Sequence, residues 1–158
     1  MPRLATMVLQ APLRGDIRAL VVDDDPQVLR VIHRQLEKLG ISQVQTAADG
    51  EEAMRLVTSA PQPYDVVLCD LCMPNEDGLV LLRRLADRSD KPAVILTSGE
   101  GAPMLEARRL GGNRNLEILG VAAKPHSLAT LAQLLARLGA SRSVPAVTSS
   151  APAATFPR

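Results

Sequence analysis

Aromatic side chains are almost missing from this chain: its 158 residues include one Tyr, one Phe and no Trp. That removes the platforms on which bases of single-stranded nucleic acid stack, and it leaves the interior to Leu, Val, Ile and Ala. A surplus of either charge is missing as well. Eighteen basic and seventeen acidic residues give a net charge of +1, without the basic excess that a nucleic-acid module carries on one face. No apolar run approaches the roughly 20 residues of a membrane span. Residues 1–18 intersperse Pro, Arg and Asp and hold no continuous apolar segment of the signal-peptide kind. Cysteine is limited to Cys69 and Cys72, expected to stay reduced in the cytoplasm. What is abundant is aliphatic: hydrophobic residues make up 46%, which excludes disorder of the whole. The length suits one domain with loose ends, able to bury a core without disulfides.

Residues 1–16 show no period and read as a flexible leader. From Arg18 the pattern changes. Ala19-Leu20-Val21-Val22 is a short apolar run of the kind buried on both faces of a sheet. It stops at Asp23, Asp24 and Asp25. Pro26 suits the first position of a helix, with Asp25 as its N-cap rather than a metal ligand. Val28, Leu29, Ile32, Leu36 and Leu39 recur at helical spacing, and Gly40 ends that helix. Residues 43–47 alternate like an exposed strand, and Asp49-Gly50 opens a second helix. A central strand is predicted over 65–70 and a third helix over 79–88. A strand over 92–97 and a short helix over 102–110 follow, the latter ended by Gly111-Gly112-Asn113. A fifth strand spans 117–123, weakened by Gly120, and a last helix capped by Ser127 runs to Leu138. From Ser141 the composition turns to Ser, Ala, Pro, Val and Thr, so residues 140–158 read as a flexible tail or truncated linker. Alternating strands and helices of this kind make an α/β protein, a parallel sheet with helices on both faces.

Ligands of such sheets bind beyond the carboxyl ends of the strands. There the sequence places Asp23 and Asp24 at the end of the first strand, Asp70 at the end of the third, Thr97 at the end of the fourth and Lys124 at the end of the fifth. Carboxylates crowded together repel by about 4 kcal/mol per pair at 4 Å and an effective dielectric near 20. Raised pKa values or a divalent cation relieve that, and an all-oxygen site with open positions suits Mg²⁺. Lys124 adds a compact positive charge and Thr97 a hydroxyl donor. A carboxylate beside Mg²⁺ can accept a phosphoryl group.

The motifs Leu20-Val21-Val22-Asp23-Asp24, Asp70-x-x-Met73-Pro74-x-x-Asp77-Gly78, Val94-Ile95-Leu96-Thr97 and Lys124-Pro125 stand in this order. Together they resemble a two-component response-regulator receiver domain, chemotaxis-regulator-like, over residues 17–139. The resemblance implies a flavodoxin-like (βα)5 doubly wound sheet of five parallel strands, in the order 2-1-3-4-5. It implies Asp70 as phosphoacceptor and Asp23, Asp24, Asp70 and the Cys72 backbone carbonyl as Mg²⁺ ligands. Thr97 would be the switch hydroxyl, with Ser98 as the alternative. Lys124 would contact the phosphoryl group, ahead of a Pro125 whose peptide bond is typically cis in the family. It further implies a phosphoryl donor, a sensor histidine kinase or histidine phosphotransfer protein, and an effector that reads the face of the fourth helix, fifth strand and fifth helix. A homodimer is compatible with it; nucleic acid and membrane are not expected partners, and no enzyme activity is expected beyond self-phosphorylation and self-dephosphorylation.

The chain departs from the family at identifiable places. Where an aromatic residue often stands three positions before the lysine, this chain has Val121, and His126 replaces a common Phe. Residues 111–115 look like an insertion. These departures motivate two alternatives: a docking or dimerisation receiver that works without phosphorylation, or an N-terminal receiver severed from an output domain such as a cyclic-di-GMP phosphodiesterase. An aspartyl-phosphate phosphatase would need a second Asp at position 72, where Cys stands. The Cys69-x-x-Cys72 spacing lacks both the helix N-terminus of redox pairs and the further soft ligands of a zinc site. Arg83-Arg84 and Arg108-Arg109 read as solvated helix faces, the second pair with a partner surface as the alternative.

Overall fold

The computed structural model describes residues 17–73, 78–99, 104–124 and 127–138. The leader and tail, Pro74 to Asp77, the start of the fourth helical segment at 102–103, Pro125 and His126 lie outside the described residues.

Five strands form one parallel sheet: β1 (Arg18–Val22), β2 (Gln43–Ala47), β3 (Val66–Asp70), β4 (Ala93–Ser98) and β5 (Ile118–Ala123). Their order is β2-β1-β3-β4-β5, so the three most apolar strands are central and the alternating β2 lies at an edge. Between them run α1 (Pro26–Lys38), α2 (Gly50–Ser59), α3 (Gly78–Ala86) and α4 (Met104–Arg114), and α5 over residues 128–138. This is the doubly wound flavodoxin-like fold that the motif order implies.

The strand period of two divides the core. Ala19, Val21, Val66, Leu68, Ala93 and Ile95 face α1 and α5, where they meet Ile32, Leu36, Leu131 and Leu135. Leu20, Val22, Val67, Cys69, Val94 and Leu96 face α2, α3 and α4, where they meet Ala53, Leu82, Leu85 and Ala107. Aliphatic side chains fill both layers, as the scarcity of aromatics requires.

Local signals set the helix ends. The Asp25 side chain accepts from the Gln27 amide and Pro26 stands at N1. Gly40, with φ +92°, closes α1 with the Ile41 amide bonded to the Leu36 carbonyl, the six-to-one bond of a Schellman stop. At α2 Asp49 caps the Glu52 amide while Glu52 accepts from the Ala48 amide, a reciprocal arrangement of the capping-box type.

One boundary differs from expectation. Gly111, Gly112 and Asn113 do not end the fourth helix; α4 continues through them to Arg114. The stop is Asn115, at φ +57°, with the Leu116 amide bonded to the Gly111 carbonyl. Gly111 serves packing instead, since a Cβ there would lie 2.6 Å from the tip of Ile118 on β5. Residues 111–114 form the last turn of α4, and Lys91 completes it by donating to the Arg114 carbonyl at 3.0 Å.

Gly112 in α4 and Gly120 in β5 should respond oppositely to substitution. Gly112 has open space where a Cβ would go, so Gly112→Ala should stabilise by about 0.5–1 kcal/mol through helix propensity. Gly120 lies at φ +154° with Leu134 against its Cα, and Gly120→Ala should cost about 1–3 kcal/mol. Urea denaturation of both variants checks the pair.

Candidate functional site

The parallel register assembles the polar residues. Asp70 pairs directly with Thr97, Val22 pairs with Cys69 one step before the two acids, and Thr97 pairs with Ala122 two residues before Lys124. The alternation that sends residues 19, 21, 66, 68, 93 and 95 to the α1/α5 face continues to 23, 70 and 97. Asp23, Asp70 and Thr97 are therefore on the same side of the sheet as well as at the same end.

Lys124 reaches that side through a fault in β5. Strict alternation would put Leu119 and Val121 on one face. Instead Leu119 joins the α1/α5 layer and Val121 the opposite one, because Ile118 pairs with Val94 and Gly120 with Ile95, which leaves Leu119 as an extra residue. A one-residue bulge inverts which faces all later side chains take. It returns Ala122 to the α1/α5 layer and brings Lys124 into the site. Gly120, read from sequence as a weak point in the strand, supplies the backbone conformation of that bulge.

The resulting geometry is compact. Lys124 Nζ lies 2.9 Å from Asp23 Oδ2 and 3.2 Å from Asp70 Oδ2. The Asp25 amide donates to Asp23 Oδ1 at 2.9 Å and the Cys72 amide to Asp70 Oδ1 at 3.0 Å. Asp23, Asp70 and Thr97 are 1%, 2% and 1% exposed, while Asp24 is exposed. The ion pair at Asp23 Oδ2 satisfies the distance but not the directionality of a hydrogen bond, and Thr97 Oγ1 has no hydrogen-bond partner among the described residues. Both are buried polar atoms directed into a site with unused bonding capacity, which is uncommon in folded proteins.

Electrostatics follows from that crowding. Burial pushes the Asp23 carboxyl above its ordinary value, and neighbouring Asp70 adds to the rise, against the opposing Asp25 amide and Lys124. For Lys124 burial acts downward, but hydrogen bonds and charge from Asp23 and Asp70 outweigh it and the ammonium is held above its ordinary value. Its favourable pairing is thus complete below the usual lysine range and is lost only as pH rises through the elevated value, so Lys124 is cationic at neutral pH. One ligand atom each from Asp23, Asp24 and Asp70 lies within 4.8 Å of the others. Three carboxylates against one ammonium leave two negative charges in excess, and an all-oxygen donor set suits a hard divalent cation. The residues present fit such an ion.

Gly78 is a contributor that sequence reading saw only as a helix start. A Cβ there would overlap the Asp70 carbonyl oxygen and lie 2.6 Å from Leu71 Cα. With Leu71, Met73 and Leu79 buried beside it, Gly78 lets α3 begin directly against the end of β3 and holds the Asp70 backbone in place. The Asp-Gly pair was the available signal. Asp25 is an N-cap, as read. Cys69 is buried and Cys72 exposed, and both are free thiols. Among the described residues no helix is long and apolar enough to cross a membrane.

Comparison with known proteins gives a consistent picture. The profile of the response regulator receiver domain matches residues 19–142. The probable chemotaxis protein CheY of Rhizobium etli is 33% identical over 116 residues, covering 71% of this chain and 84% of that protein. The cyclic di-GMP phosphodiesterase RocR of Pseudomonas aeruginosa is 34% identical over 130 residues, 81% of this chain but 33% of RocR. The two-component response regulator ARR11 of Arabidopsis thaliana is 33% identical over 96 residues, and the match spans 18% of its length. Some curated relatives are thus several times longer than the part matched. Among solved structures, a response regulator receiver domain protein from Clostridium thermocellum superposes with a TM-score of 0.69 at 26% identity, over 81% of this chain and 98% of that one.

The raised Asp23 pKa makes its charge a cost to the metal-free fold at every pH above the folded value, a cost that fades as pH falls toward 3.8. Asp23→Asn in the presence of a chelator should therefore raise the melting temperature at pH 7, by an increment that shrinks as the pH is lowered. Thermal melts from pH 7 down to pH 4 test this.

Proposed function

The chain belongs to the response regulator receiver domain family, and from that membership we propose that it is a phosphorylation-switched signalling module with Asp70 as phosphoacceptor. The observation that carries the proposal is the juxtaposition of a buried carboxylate, its lysine partner and, on the strand adjacent to the carboxylate, a buried hydroxyl, Thr97 Oγ1, with no hydrogen-bond partner among the described residues. A sensor histidine kinase or histidine phosphotransfer protein would supply the phosphoryl group. The N–P bond of its phosphohistidine breaks, the ring nitrogen keeps the electron pair, and an Asp70 carboxylate oxygen forms the new O–P bond.

Asp23, Asp24, Asp70 and the Cys72 carbonyl would hold Mg²⁺, which when bound would neutralise charge on the phosphoryl oxygens. Lys124 moves its ammonium from the Asp70 carboxylate to a phosphoryl oxygen. Thr97 donates its unused hydroxyl proton to another. A new charge of about −1.5 to −2 thereby acquires partners that the unmodified site leaves partly idle. Movement at Thr97 biases the segment that follows it, and the α4–β5–α5 face becomes the surface an effector reads. Residues 17–139 form the receiver in this reading, in the cytoplasm. Turnover of an external substrate is not part of it.

Val121 favours a second reading. It replaces the aromatic side chain that often reports the hydroxyl's movement, which is consistent with a docking receiver that works without phosphorylation. The match to a third of RocR is likewise consistent with a receiver serving an output module in a longer protein.

Incubation with acetyl phosphate and Mg²⁺ should give a phosphoryl adduct by intact mass, absent from Asp70→Asn; a stable adduct on that variant overturns the assignment. Lys124→Ala should slow adduct formation at least about 10-fold, the scale of a charge-assisted hydrogen bond. Thr97→Ala should still accept the phosphoryl group yet lose the amide shifts in α4 and β5 that beryllofluoride induces in the parent; a parent that shows no such shifts would favour the second reading. Mg²⁺ at about 100 times its Kd should stabilise the parent by about 2.7 kcal/mol, and less as acidification protonates Asp23.

A further inference from the structure

The bulged register of β5 has to be held, because the residues of that strand do not choose it. Residues 119–123 read Leu-Gly-Val-Ala-Ala, apolar at every position, so the alternation of polar and apolar side chains that usually fixes register is missing. Gly120, at φ +154°, permits the bulge without compelling it, since glycine adopts ordinary strand geometry as readily. An unbulged β5 that kept Ile118 opposite Val94 would pair Leu119 with Ile95 and Val121 with Thr97, where the structure has Gly120 and Ala122. Lys124 would then leave the α1/α5 side, and the two buried acids would lose their cation.

Two side chains of α5 act on the bulge. Arg137 Nη1 donates to the Leu119 carbonyl at 2.6 Å, so the extra residue of the bulge accepts a charge-assisted hydrogen bond. Leu134, one helical turn earlier on the same face of α5, packs over Gly120: a Cβ there would overlap Leu134 Cδ2 and lie 3.4 Å from Arg137 Nη1. β5 is an edge strand, paired on one side alone, and Leu119 is 4% exposed. A carbonyl left there without a donor costs more than a typical hydrogen bond returns. Arg137 also lines, with Arg108, the shallow cleft beside Gly120 and Val121, so its guanidinium sits where the strand changes facing.

We propose that Arg137 is a positioning residue for phosphoryl transfer: bonded to the Leu119 carbonyl, it holds β5 in the bulged register that presents Lys124 to Asp23 and Asp70. It touches neither the acids nor the incoming group, and acts through the strand between Leu119 and Lys124. The proposal rests on the reading of Asp70 as phosphoacceptor with Lys124 as its partner, and adds to that site a residue from α5. The ion pairs of Lys124 with both acids favour the same register, so loss of Arg137 shifts the balance between two registers rather than abolishing one.

The test compares Arg137→Met, which keeps the aliphatic stem and removes the donor, with Arg137→Lys, which keeps a cationic donor. Adduct formation from acetyl phosphate and Mg²⁺ should slow about tenfold in Arg137→Met, the scale of one charge-assisted hydrogen bond, and recover most of that loss in Arg137→Lys. In a Lys124→Ala background Arg137→Met should change the rate by less than about twofold, because the residue it acts through is gone. Cross-strand nuclear Overhauser contacts in the metal-free parent should pair Gly120 with Ile95 and Ala122 with Thr97. Arg137→Met should add a second set, Leu119 with Ile95 and Val121 with Thr97. Thermal melts establish that each variant is folded at the assay temperature, and Arg137→Gln replaces Arg137→Met if that one is not. An unchanged rate, an unchanged register, equal slowing in Arg137→Lys, or slowing that adds in full to that of Lys124→Ala overturns the proposal; the last two mark a general loss of packing. A parent that forms no adduct overturns the reading of Asp70 and the transfer role with it, while the register contacts still decide whether Arg137 holds Lys124 at the acids.

Discussion

The ion pair of Lys124 with Asp23 and Asp70 is the interaction on which the arrangement of this site depends. Parallel strands converge their ends, and two of those ends, of β1 and β3, here carry three carboxylates whose ligand atoms lie within 4.8 Å of one another. Without a cation the two buried ones, Asp23 and Asp70, would face each other unneutralised, and unpaired buried charge is among the costlier defects a fold can carry. Lys124 lies against both at 2.9 and 3.2 Å, yet one ammonium cannot balance three carboxylates. The remainder is an affinity for further positive charge, and the same imbalance that strains the metal-free fold is what makes the crevice able to receive a cation and then an anion.

Two backbone devices maintain that geometry, and both are glycines. Gly78 allows α3 to start against the Asp70 carbonyl, where any side chain would collide with the main chain. Gly120 carries the bulge that reverses the facing of β5, so that Lys124 is delivered to the α1/α5 side. The bulge links the inner site to the outer surface. The same residues that turn Lys124 inward leave a shallow cleft outside, with Arg137 bonded to the carbonyl that the bulge exposes. A change at this point in β5 would therefore reach the acidic crevice and the arginine-rimmed face together, through covalent continuity over a few residues.

Much of this was legible before any coordinates. Apolar runs ending in acids marked β1 and β3, helical spacing of Val28, Leu29, Ile32 and Leu36 marked an inner helix face, and Asp25-Pro26 marked the start of α1. The site residues Asp23, Asp24, Asp70, Thr97 and Lys124 could be named because each follows a strand of recognisable composition. The end of α4 was misplaced. Gly111-Gly112 reads locally as a helix stop, but Gly111 answers to the approach of Ile118, and the turn is made by Asn115. A glycine kept for close packing and a glycine kept for its dihedral freedom are identical in sequence.

The sequence by itself determined the kind of fold, the strands on which the polar groups end, and the chemistry available there, because composition and period are local properties of the chain. Only the tertiary structure decided which of those groups touch. Register sets Asp70 beside Thr97, and the β5 bulge selects the face that Lys124 takes. Packing buries the Thr97 hydroxyl with no hydrogen-bond partner among the described residues. These are relations between residues as far apart in sequence as Asp23 and Lys124, and no local propensity encodes the pairing of one strand with another or the single extra residue that turns a lysine from one side of the sheet to the other.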